Sequence, residues 1–194
     1  MLESNPPRVA SLLALVATVA LLAWAARRGA LSDPRVERVL GRTWPDLWYV
    51  RRDLLPRLER RLPFIKFELP LHDAEIAGVI DDPPSVVRDR LRSREKIFPN
   101  NCAALKRWHG RRECGSYAHR PSGLFGRWQT HIRLFPGPDG GTVVAAHGER
   151  SPLAGLDESW LAALRGAWRH YTGDGWSARD GVMKARRLLD MEGP

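Results

Sequence analysis

Three side chains that can do chemistry are spaced to meet across one hairpin: His131, His147 and Glu149. They lie in two predicted strands, 127–135 and 142–148, joined by the turn-forming run PGPDGG at 136–141. A five-residue loop over 137–141 sets Leu134 against Val144 and Ile132 against Ala146 on one face, which Trp128 continues. The less apolar face then carries His131 against His147 and Gln129 against Glu149. A slip by one residue would move His147 opposite Thr130, on the face of Ile132 and Leu134, and incur desolvation. His119 ends the neighbouring predicted strand and completes the candidate set. Two or three imidazoles and a carboxylate in mutual reach can hold a metal or act as a general acid/base pair. The same residues also suit a solvated sheet face. Both readings stand on the sequence alone.

Other catalytic patterns are missing. The chain has no HExxH or CxxC, and the glycines at 123, 126, 137, 140 and 141 make no GxGxxG or Walker pattern. Ser116 and Ser122 lack a nucleophile-elbow context. No metal motif and no cofactor are therefore expected. Cys102 and Cys114 flank a predicted hairpin turning at His109-Gly110. Pairing Trp108 with Arg111 leaves the two thiols several residues out of register, beyond the ~7 Å that a disulfide spans, so both are expected reduced.

The elements that must position the histidines read as α+β. Strands are expected over 64–69 and 74–80, then a helix over 85–94 capped by Asp82, with Val86, Val87 and Leu91 as its apolar stripe. Four strands follow, about 102–108, 112–119, 127–135 and 142–148. Helices over 157–171 and 178–190 close the chain, the second opened by Ser177 and Asp180. Trp128, Trp160 and Trp168 fall on predicted inward faces, whereas Trp108 and Trp176 are candidates for exposure. The order predicts a mostly antiparallel sheet with helices packed on one face, within residues 64–192.

Ahead of this domain stands an uncharged apolar run, 9–26, bounded by Arg8 and by Arg27 and Arg28. As a helix it would reach roughly 27 Å, close to the ~30 Å of a bilayer core. A cleaved signal peptide is the rival reading, because Ala23-Trp24-Ala25 has the small-x-small form. The run exceeds a usual signal core and the charge lies mostly after it, so a retained single-pass transmembrane helix is expected. Arg27, Arg28, Arg35, Arg38 and Arg42 follow it within about 20 residues, which places the tail 1–8 outside and the large C-terminal part in the cytoplasm.

The net charge is +9, from 31 basic and 22 acidic residues. More than half of that excess falls in the juxtamembrane segment 27–63, which argues for anionic membrane lipid as partner. Zinc-finger spacing and RNP motifs are missing, so no nucleic acid is expected. Arg42, Trp44, Trp48, Arg51, Arg52, Arg57, Arg60 and Arg61 would form the membrane-surface set on an amphipathic helix that Pro56 should kink or break. Packing of that helix on the domain is the other reading.

The motifs GSYAHR at 115–120, THIRLF at 130–135, Ala146-His147, RHY at 169–171 and DGV at 180–182 resemble those of uncharacterised archaeal proteins, chiefly haloarchaeal, over about residues 75–190. That resemblance implies no activity. The expected function is a membrane-anchored binding or accessory module for a lipid or protein partner. A hydrolase or metal-dependent enzyme using His131, His147, Glu149 and His119 is the alternative.

Overall fold

The computed structural model describes residues 48–61, 68–101, 103, 105–155, 158–171, 173 and 175–191. The tail, the apolar run 9–26, Arg42, Trp44, Cys102 and most of the strand expected over 64–69 lie outside these residues. No helix among the described residues is long and apolar enough to cross a membrane.

The fold is α+β. A five-stranded antiparallel sheet has the order β2 (Ile76–Ile80), β8 (Thr142–Arg150), β7 (Trp128–Pro136), β6 (Gly115–His119), β3 (Ile97–Pro99). The β7–β8 hairpin is its spine and has the predicted register: His131 faces His147, Ile132 faces Ala146 and Leu134 faces Val144. Strand alternation then divides the two faces.

The face of Ile132, Leu134, Val144 and Ala146 is covered by two helices. One is α2 (Pro84–Ser93), which inserts Val87 and Leu91; the other is α4 (Ala178–Leu188), with Ala185 and the following Leu189. Ser177 caps α4, its hydroxyl accepting from the Asp180 N–H as expected. The cap of α2 differs from expectation. Pro83 holds the position without a side-chain bond, because Asp82 is engaged by Arg90 instead.

The opposite face was expected to be the wet one and is not. A second sheet covers it, with β1 (Glu68–Pro70) parallel to β4 (Leu105–Trp108) and β5 (Arg111–Arg112) antiparallel to β4. This sheet exists because the single strand expected over 112–119 breaks at Glu113-Cys114, so its halves join different sheets. The turn at His109-Gly110 is as predicted, with Trp108 facing Arg111 and both turn residues at positive φ. Glu68 ties the small sheet together by pairing with Arg107 and Arg112. Between the sheets, Phe135, Val143 and Ala145 pack with Leu71 and Trp108.

Two tryptophans depart from their predicted inward faces. Trp128 is 48% exposed, with the Arg150 guanidinium over its ring, and Trp168 on α3 (Trp160–Tyr171) is 72% exposed. Indole contributes to a helix's apolar period whether or not a partner surface meets it. α1 (Trp48–Arg61) runs unbroken through Pro56, and Leu54, Arg57, Arg60 and Arg61 are exposed on it. The Cys114 thiol is free and partly buried, and burial pushes its pKa up to about 12.

Helix α4 is pressed directly onto β8. Gly148 and Ser177 exchange both backbone hydrogen bonds, and a Cβ on Gly181 would stand 2.2 Å from the His147 Cα. Gly181→Ala should therefore destabilise the fold by about 2 kcal/mol or more, although alanine is the better helix former by about 1 kcal/mol. Urea unfolding would measure it, and an unchanged or higher midpoint would contradict this packing.

Candidate functional site

His131, His147 and Glu149 converge between the two sheets. They are 1%, 5% and 9% exposed. The two imidazole rings meet edge to face with centroids 5.1 Å apart. One ligand-capable atom from each of the three residues lies within 4.8 Å of the others.

Their neighbours order the rings, and one fixes a ring proton. His147 Nδ1 is 2.5 Å from Oε2 of Glu75, a carboxylate that can only accept, so Nδ1 carries hydrogen and donates. His147 Nε2 then faces Glu149 Oε2 at 3.2 Å. His131 Nδ1 lies 3.4 Å from Arg133 Nη2. His131 Nε2 shares a hydrogen bond with the Ser116 hydroxyl at 2.8 Å, whose direction follows the ring's tautomer. His131 Nδ1 in turn is 3.3 Å from Glu149 Oε1. Two imidazoles thus converge on one buried carboxylate.

The surroundings are equally ordered. Gln129 donates to Glu149 Oε1 at 2.6 Å, and Arg120 donates to Gln129 at 2.9 Å. Arg133 is neutralised by Glu113, itself buried. Glu75 also accepts from the His72 N–H at 3.2 Å. His170 on α3 reaches in, its Nδ1 2.8 Å from the Arg150 carbonyl and 3.4 Å from Glu149 Oε2. Trp176 lies over the cluster with its ring 6.0 Å from that of His147.

The electrostatics follow from burial against partners. Burial pushes His131 well below its ordinary pKa, and Arg133 adds to the effect. Burial also opposes charge on His147, but Glu149 and Glu75 outweigh it and raise the value. Burial alone would raise the two carboxylates; their histidine partners instead hold Glu149 well below and Glu75 below the ordinary range. The cluster is thus built to keep two carboxylates ionised around one shared cation.

Comparison of the chain with protein-family models, curated proteins and solved structures gives no match. The site has to be read from its geometry.

Of the four histidine-set residues singled out in the sequence, three are brought together and one is not. His119 pairs with Thr130, so it lies on the helix-covered face, away from His131. Burial lowers its pKa to about 4, Lys184 and Lys96 adding to the shift, and its Nδ1 has no hydrogen-bond partner among the described residues. Of the membrane-surface set, Arg57, Arg60 and Arg61 are exposed on α1, remote in sequence from this cluster. Glu75, Ser116, Gln129, Arg133 and His170 complete the site. Ser116 could have been found by carrying the strand register one strand further. Glu75 could not, because it joins His147 across 72 residues of sequence.

A histidine held neutral in the fold gives stability that is complete above its ordinary pKa of 6.5 and is lost as pH falls towards about 4. His119→Gln should therefore reduce the loss of stability between those limits by roughly 1–2 kcal/mol, after allowance for partial exposure. Urea unfolding of both proteins at neutral and acid pH measures the slope, and identical slopes would refute it.

Proposed function

We propose that the domain is a divalent-metal-binding module in which His131, His147 and Glu149 are the ligands. The observation that carries this is the convergence of three ligand-capable groups, with the outer nitrogen of each ring already committed to Ser116 or Glu75. Tetrahedral zinc with bonds of about 2.0–2.1 Å separates neighbouring donor atoms by about 3.3 Å. The imidazole–carboxylate spacings are 3.3 Å to Oε1 and 3.2 Å to Oε2 of Glu149, and one atom from each residue lies within 4.8 Å of the others, so an ion would draw the three groups together. The Glu75–His147 bond has the carboxylate–histidine form that orients metal-bound imidazoles. Without a metal, a proton on His147 serves as the cation between Glu75 and Glu149.

A hydrolytic enzyme is the second reading. Two histidines and one glutamate leave a fourth coordination position, as catalytic zinc sites do. In this reading Glu75, Ser116 and Gln129 hold the ligands. A plain binding module with dispersed, solvated histidines is the reading least supported by their burial.

The protein works at a membrane in this proposal. The uncharged run 9–26 supports a retained anchor, and the arginines after it support a cytoplasmic domain and contact with anionic lipid. A reporter active only in the cytoplasm should work when fused after Pro194. Activity solely from an exported reporter would reverse the orientation, and a mature protein beginning at Ala26 would remove the anchor.

The metal is tested with full-length protein stripped by chelator and titrated with cobalt(II). One equivalent should bind and give visible absorption, and zinc should displace it. His131→Ala, His147→Ala and Glu149→Ala should each abolish the signal, while Glu75→Gln should weaken binding by about 10–100-fold. Zinc at 100 times its Kd should stabilise the wild type by about 2.7 kcal/mol and the ligand variants not at all. No saturable binding, or binding indifferent to all three ligands, would leave the cluster as a structural network only.

A further inference from the structure

Helix α3 turns Ala162 and Gly166 inward and Leu161 and Trp168 outward. A Cβ on Gly166 would stand 2.3 Å from the Ala154 carbonyl oxygen, and one on Gly155 would stand 2.8 Å from that of Ala162. That side of the helix packs closely on the segment after β8. Leu161 and Trp168 lie on the other side, 56% and 72% exposed. They are two helical turns apart, so they share one stripe, with Arg165 between them. Trp128, 48% exposed, flanks it: the Arg150 guanidinium lies 4.5 Å over its ring and lines one cavity with Arg165. Large apolar side chains gathered outside, with small ones inside, mark a surface that meets a partner.

The chemistry of the stripe selects the partner. α3 carries Arg165 and Arg169 and no aspartate or glutamate, and Glu158 ahead of it is 3.8 Å from Arg127. Indole is favoured at the headgroup level of a bilayer. Arginine lays its stem along apolar surface and keeps its charge at the water's edge, where it adds to the local field even when it also bonds within the protein.

Tethering makes a weak contact sufficient. Residues 27–47 separate the apolar run from α1 and reach about 70 Å when fully extended. A domain held that close to a bilayer docks on it by an intramolecular step. We propose that the outer stripe of α3 docks the domain onto the anionic surface of the bilayer that holds the chain. The docking rests on the retained anchor and adds a contact separate from the arginines of 42–61.

The test is amide hydrogen exchange of the full-length chain in nanodiscs of anionic or of neutral lipid. Residues 160–171 should exchange about 10-fold more slowly in the anionic discs, with α4 unchanged as the internal reference. Leu161→Gln with Trp168→Gln alters no charge at two exposed positions and should bring the two lipids within about 2-fold of each other. Val86→Gln, 43% exposed on α2, should leave the difference intact. If the double variant speeds exchange in α4 it has disturbed the fold, and salt takes its place: high salt should erase the wild-type difference, and a difference that persists counts against the docking. Equal exchange in both lipids with the chain held in the disc, or protection that survives the double variant, overturns the docking and leaves the anchor standing. Protection that appears in neutral discs and grows with the number of chains per disc assigns the stripe to a second copy and overturns it as well. A chain that does not enter nanodiscs overturns the anchor and the docking with it.

Discussion

A charge held between two layers of sheet has no water to solvate it, so each one here is matched by a partner brought from another strand. That requirement organises the inner face of the main sheet. Arg133 needs Glu113, and Glu113 stands where the chain leaves β5 for β6. Glu149 needs His131, His147 and Gln129. His147 needs Glu75, which fixes the entry to β2. Losing one member leaves its partner buried and unmatched, at a cost of about 3–5 kcal/mol. The polar layer therefore specifies which strands meet, and the apolar residues beside it supply the drive to bury them.

The two faces of β7 show this division of labour. Ile132 and Leu134 face helices and could be exchanged for other aliphatics of similar volume at modest cost. Gln129, His131 and Arg133 face the second sheet and cannot, because their polar groups form a chain of contacts running from Arg120 to Glu113. A metal at the centre of that chain would replace a proton as its cation and leave the surrounding bonds in place. That is how one architecture could serve with the ion or without it.

What was legible in the sequence was local. The β7–β8 register followed from alternation and one turn, and the Ser177 cap from a short pattern. The second sheet was not legible. Its strands are two to four residues long, too short to carry a period, and β1 meets β4 in parallel across 37 residues. Because that sheet was hidden, the His131 face read as wet when it is buried. His119 was assigned to the cluster by nearness in the chain, whereas one residue of parity sends its ring to the other side of the sheet. Glu75 escaped notice for the complementary reason: nothing near it in sequence needs a carboxylate.

The contact between Gly181 and the His147 backbone bears on how this chain can evolve. Two neighbouring positions are constrained there for unrelated reasons, one by space and one by charge. A relative that had replaced His147 with an apolar residue would still need glycine at 181, since the clash is with backbone that every residue has. Retention of Gly181 among descendants would thus record the docking of a helix and carry no information about chemistry. Retention of the histidine together with Glu75, two positions joined only through a buried hydrogen bond, would record the site itself.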